Sequence, residues 1–222
     1  VSLSELFSGS SAIWIKFDEA FNSQNINSLS RTFQKCKKLT SIDLSHFNAE
    51  NVDDMYETFS ECSSLLELNL SSFKTNKLRD MHGMLSGCFS LQFIDLSMFN
   101  TSLVTDMQNL FYQCISLTSI DISSFEASSC TSTESMFNNC TQLTSIKFGN
   151  FSTENVQIMS LMFNYCTQLT SLNLTSFNFK NVINMDSMFK RCENLASIEG
   201  NIITKNVRQL DNMFYLCSKV TS

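Results

Sequence analysis

A single α/β solenoid, with a parallel β-sheet on one face and short helices on the other, is the fold that this 222-residue sequence predicts. Three observations carry it. Cysteines recur at 36, 62, 88, 114, 140, 166, 192 and 217, spaced by 26 residues except for a last interval of 25, and Ser10 continues the phase upstream. Phe and Met keep the same ruler: 15 of the 20 Phe lie three residues before or eleven after a cysteine position, and ten of the 11 Met lie four or seven before one. Proline is absent, as expected of a repeated unit in which few positions can forgo a backbone N–H. A fixed period of roughly 20 to 50 residues marks a stacked array. Residues 1–222 therefore read as one domain of about 8–9 coils, phased on Ser10, Cys36, Cys62, Cys88, Cys114, Cys140, Cys166, Cys192 and Cys217.

Each coil begins with a strand. Ile42 and Leu44 alternate with Ser41, Asp43 and Ser45, the period-two pattern of a half-buried strand. A polar loop follows. Asn then precedes the Val position in several copies (Asn25, where Ile26 stands for Val, and Asn51, Asn155, Asn181 and Asn206), where its side chain can accept a bond from a free helical N–H as an N-cap. Val52, Met55, Phe59 and Cys62 come next, spaced by three, four and three residues. That spacing predicts one face of a short helix. Neither element buries its apolar side alone, and stacking supplies the core. The pattern departs at Leu85 in a Phe column, at Thr133 in a Met column, at Gly200 in the last strand, and in the first copy, Ile13 to Phe21, which is shifted by one.

The chemistry-bearing residues point away from catalysis. The cysteines have no C-x-x-C pairing and the chain has two histidines, His46 and His82, so neither a metal nor a cofactor is expected. Helices about 10 Å apart would also hold the cysteines beyond the roughly 7 Å reach of a disulfide. They read as small buried hydrophobes, as does Cys130 in the column of Val52, Val104 and Val156. No nucleotide-binding, zinc-protease or serine-hydrolase motif is present, so no catalytic residue is named and no enzyme is expected. The net charge of −6 argues against a nucleic-acid partner, which needs a basic face. No apolar run is long enough for a transmembrane segment.

The outward strand positions are mostly small and polar with an acidic stripe, including Asp43, Asn69, Asp95 and Asp121. From Asp80 to Ile146 there is no Lys or Arg but there are six acids, so the whole net charge lies in the central third. One coil breaks the small-polar rule: Phe89, Phe93 and Met98 stand at positions that are polar elsewhere. An exposed aromatic beside Asp95 is the kind of residue that anchors an interface. These seven residues form the expected partner-binding set. Sequons occur at Asn69, Asn100, Asn139, Asn150 and Asn173.

The L-x-x-I-x-L-x-x-F run of Leu39 to Phe47 resembles a leucine-rich-repeat core, with Phe at its last position. The unit from Asn181-Val182 through Met185, Met188-Phe189, Cys192 and Leu195 is similar to the BspA-like leucine-rich repeats of bacterial and protist surface proteins. That resemblance implies a leucine-rich-repeat solenoid at a cell surface, used in adhesion, with a protein or glycan ligand. The alternative is a structural scaffold that packs into a larger assembly. Both ends fall in mid-coil. The expectation is a segment of a longer array, with end-to-end or lateral self-association among its contacts.

Overall fold

The computed structural model describes residues 1–220, and it builds a β-solenoid. Its eight strands are β1 (Trp14–Lys16), β2 (Ser41–Asp43), β3 (Glu67–Asn69), β4 (Phe93–Asp95), β5 (Ser119–Asp121), β6 (Ser145–Lys147), β7 (Ser171–Asn173) and β8 (Ser197–Glu199). Each is three residues long, with the middle side chain turned inward and its neighbours outward. Pairing is parallel and in register, β1 with β2, β3 with β4, β5 with β6 and β7 with β8. These pairs lie against one another in chain order, so one face continues along the stack. A second ladder of single parallel bridges runs down the opposite wall, from Ser2 through Ser28, Asp54, Asp80 and Asp106 to Gln209.

Two expectations need correction. Among the described residues there is no helix, so the fold is β-solenoid and not α/β, and the expected 8–9 coils become about seven full turns between β1 and β8. The segment around Val52 to Cys62 is a chain of β-turns. Thr58, Ser60 and Cys62 each donate N–H to the carbonyl three residues back, at 3.1–3.3 Å. The N–H groups between them, on Met55, Glu57, Phe59 and Glu61, point sideways and bond Asp80, His82, Met84 and Ser86 of the next coil at 2.7–2.9 Å. A helix would have claimed those donors for its own i→i−4 ladder. A helix is also about 10 Å wide, whereas laddered coils sit about 4.8 Å apart. Turns let both walls keep one spacing.

The turn chain requires left-handed backbone at two places per coil. The third residue of the Met55–Thr58 turn, Glu57, has φ 48°, and that of the Phe59–Cys62 turn, Glu61, has φ 59°. The same two columns hold every non-glycine residue with positive φ, such as Arg31, Asn109, Asn139 and Tyr165, together with Gly9, Gly83 and Gly87. None of them is β-branched, the class for which this region is least accessible. Each non-glycine case costs roughly 1–2 kcal/mol, offset by cross-coil hydrogen bonds worth about 1 kcal/mol each.

The core follows the columns. Val52, Met55, Phe59 and Cys62 are wholly buried. Phe33 stacks on Phe59 with ring centroids 5.3 Å apart, and Phe163 on Phe189 at 5.5 Å. Eight of the nine cysteines are buried and Cys217 is half-buried; all are free thiols. The helix spacing that argued against their pairing does not exist here. Instead each column thiol donates to the carbonyl 28 or 29 residues earlier, as Cys88 does to Phe59 at 3.2 Å and Cys140 to Phe111 at 3.1 Å. The Phe59 carbonyl already accepts the Cys62 N–H, so the thiol fills its second lone pair. A small apolar side chain with one weak donor fits that need. Cys130, also buried, bonds the Ser132 carbonyl. The asparagines before the turn chain are not N-caps. Asn51, Asn155 and Asn181 use their amides as donors to carbonyls of the preceding coil, at 2.6–2.8 Å.

Candidate functional site

The strand face carries two outward columns. In register along one run Trp14, Ser41, Glu67, Phe93, Ser119 and Ser145, and along the other Lys16, Asp43, Asn69, Asp95, Asp121 and Lys147. The second column has a structural task that the sequence reading did not assign. Asp43 Oδ1 accepts the Ser45 N–H at 3.1 Å, Asn69 Oδ1 that of Ser71 at 3.0 Å, and Asp95 and Asp121 those of Ser97 and Ser123 at 2.9 Å. These Asx turns end the strand and bend the chain into its loop. Lys147 offers no acceptor. The residue two positions on is Gly149, at φ 59°, where an added Cβ would stand 2.7 Å from the Ser123 backbone.

Charge on this face is paired unevenly. Lys16 lies 3.8 Å from Asp43, and Lys147 bonds Asp121 at 2.8 Å. The Lys147 ammonium, with the Ser123 hydroxyl and N–H, brings the Asp121 carboxyl down to about 2. Asp43 is lowered by the Ser45 hydroxyl and N–H, and Asp95 by the Ser97 N–H. Asp95 has no cationic partner among the described residues.

Phe93 is 66% exposed. It stands as a ridge between two hollows. One, of about 710 Å³, runs from Phe93 past Asp95, Ser119 and Asp121 to Lys147. The other, of about 400 Å³, is bounded by Ser41, Glu67, Asn69, Phe93 and Asp95. The fold thus brings Phe93, Asp95 and Asp121 together and sets Asn69 across the ridge. Asp43 lines neither hollow. Phe89 lies on the turn wall near Glu61 and Tyr112, and Met98 lies in the loop after β4, so neither joins Phe93. Glu67 and Lys147 were missed as site residues. The signal was available, since both are long charged residues in columns otherwise dominated by short polar ones. The sequon residues Asn69 and Asn173 both spend Oδ1 on their turns.

A second polar feature lies on the turn wall. Asp54, Asp80 and Asp106 occupy consecutive rungs. His82 stacks on Tyr56, with centroids 5.1 Å apart, and its Nδ1 lies 3.4 Å from Asp106 Oδ2. Hydrogen bonding to Asp106 raises the His82 pKa, and burial beside Asp54 and Asp106 raises that of Asp80. Among the described residues no group of three His, Cys, Asp or Glu side chains is arranged to hold a metal. Among the described residues no helix is long and apolar enough to cross a membrane.

The family described as "Mycoplasma protein of unknown function, DUF285" matches at residues 1–117, 66–147 and 116–222. The narrower BspA-like resemblance is not part of that description. No curated protein matches the sequence. Among solved structures, the chain is similar to a leucine-rich repeat protein from T. pallidum, with 16% identity, TM-score 0.44, and 72% of this chain and 79% of that chain covered. It is similar to an internalin from Listeria monocytogenes, with 16% identity, TM-score 0.35, and coverage of 89% and 64%. It is also similar to a leucine-rich repeat protein from Bacteroides ovatus, with 21% identity, TM-score 0.31, and coverage of 98% and 80%.

Proposed function

The chain belongs to the mycoplasma protein family DUF285, matched along its whole length, and from that premise we propose that it is a non-enzymatic scaffold presenting its strand face to a protein or glycan partner. The observation that carries this reading is Phe93: a large aromatic, two-thirds exposed, on a rung whose equivalents in β5 to β8 carry serine. Leaving a phenyl ring in water forgoes about 1.5–3 kcal/mol of burial. A ridge between two hollows is where a partner recovers it. The BspA-like resemblance extends the reading to a cell-surface adhesin segment.

The test is Phe93→Ser, which installs the residue found at 119, 145, 171 and 197. Wild type and variant are compared on arrays of extracellular matrix proteins and of glycans. The variant should melt within about 2 °C of wild type and lose at least about tenfold in affinity for the array ligand. Equal binding by both proteins would remove the strand face as the site.

A second reading rests on a different surface. Phe89 and Ile115, 40% and 37% exposed, occupy equivalent positions of adjacent coils. They form a small apolar spot through which the solenoid would pack sideways into a larger assembly. Sedimentation of wild type and a Phe89→Ser, Ile115→Ser variant decides it: loss of an oligomer in the variant favours assembly, and a monomer in both excludes it.

A further inference from the structure

The strand face carries three aspartates in its second column, and they differ in one respect. Asp43 has Lys16 at 3.8 Å and Asp121 has Lys147 at 2.8 Å. Asp95, the one next to the exposed ring, has no cation among the described residues. Its Oδ1 accepts the Ser97 N–H at 2.9 Å, and Ser97 is its own-loop partner through side chain as well as backbone, with no partner from a neighbouring rung among the described residues. Glu67 stands directly opposite Phe93 in the β3–β4 register and is in no ion pair among the described residues. No Lys or Arg occurs between residues 80 and 146 to supply one.

We infer that this face takes a cationic polypeptide segment, one that lays an apolar side chain on Phe93 and an arginine or lysine beside Asp95 and Glu67. The inference rests on the reading of the strand face as a binding surface and adds the class of occupant. A neutral glycan could stack on Phe93, but it would leave two carboxylates without a counter-charge. Desolvating a carboxylate without a partner is costly, while a charge-assisted bond to guanidinium offsets that cost and fixes orientation. An apolar and a cationic side chain two positions apart in an extended segment point to the same side, which matches ring and carboxylate, themselves two positions apart on one strand.

Asp95→Asn is a clean probe. Asn69 already makes the same turn to Ser71 with its amide oxygen, so the variant keeps the local fold and removes only the charge. The measurement is fluorescence anisotropy of the whole chain with three labelled decapeptides built on the repeat Leu-Ser-X-Ser, with Arg, Ser or Glu at X, so that Leu and X share one face of the extended peptide. The Leu–Arg peptide should bind at least about tenfold more tightly than Leu–Ser, with Leu–Glu weakest. Asp95→Asn and Phe93→Ser should each cost about tenfold. Asp211→Asn, which removes the same charge from an exposed residue away from the face, should cost nothing. An equal loss in Asp211→Asn would mean attraction to net charge alone and would overturn the inference. Phe93-dependent binding on the glycan array with no preference among the peptides would overturn it while leaving the scaffold reading intact. No Phe93-dependent binding in either assay would overturn both.

Discussion

At the scale of single residues, each buried column has a reason beyond apolarity. The thiol column closes the second lone pair of a carbonyl in the coil before it. Burial holds the protons on from Cys88 to Cys217, with Cys88 pushed up to about 12, while hydrogen bonding with the Cys62 thiol lowers Cys36. Burial pushes Cys130, outside the column, up to about 12 as well. In the native protein at pH 8, a thiol reagent should therefore label Cys217 well ahead of the others, and fast labelling of several cysteines would contradict the packing. Cys140→Ala removes a sulfur and leaves the Phe111 carbonyl with one partner fewer, at a cost of about 1–2 kcal/mol in urea unfolding. His82 makes a separate prediction. Its pKa is raised above the ordinary 6.5 by Asp106, with Asp80 and Glu57 acting in the same direction. A raised histidine contributes stability fully below pH 6.5, and that contribution is lost as pH rises through the folded value. Asp80, raised above 3.8 by burial, acts with the same sign at lower pH. The wild-type melting temperature should fall between pH 6 and pH 8, and His82→Gln should flatten that fall.

At the scale of elements, the strand and the inward columns were legible in the sequence, and the element type of the opposite wall was not. A chain of i→i+3 turns turns Val52, Met55, Phe59 and Cys62 inward at intervals of three and four residues, the same intervals that a helix face shows. Spacing alone does not separate the two. The discriminating signal lay in the columns of Glu57 and Glu61, where Gly and Asn recur and Val, Ile and Thr never occur. That is the signature of positive φ. Far-ultraviolet circular dichroism should accordingly lack the double minimum of a helix. Gly149→Ala tests the strand-end device. Positive φ and a 2.7 Å approach to the Ser123 backbone together should cost at least about 2 kcal/mol. Gly87→Ala, where the nearest atom is 3.4 Å away, should cost only about 1 kcal/mol.

For the whole molecule, the repeat is the structural statement and its departures carry the functional one. Phe93 stood out in the sequence because its column is otherwise polar from Ser41 to Ser197, with Trp14 of the shifted first copy the other large aromatic, and the fold leaves Phe93 exposed between two hollows. Asp43 and Asp121 looked equivalent to Asp95 in sequence. Their pairing with Lys16 and Lys147 depends on which rung meets which, and the shifted first copy hid the Lys16 partner. Phe89 and Met98 departed from the same coil as Phe93, but a coil's residues face different walls, so departure within one coil does not imply a shared site. The central claim is that binding is local to the Phe93 rung and separable from the stack that holds it. It is tested most directly by moving the ring one rung along. The Phe93→Ser, Ser119→Phe double variant keeps composition and repeat, and places the ring beside Asp121, which Lys147 already occupies. Its affinity for the array ligand, measured against wild type with both melting at the same temperature, should fall at least about tenfold; wild-type affinity in the transposed protein would contradict the account.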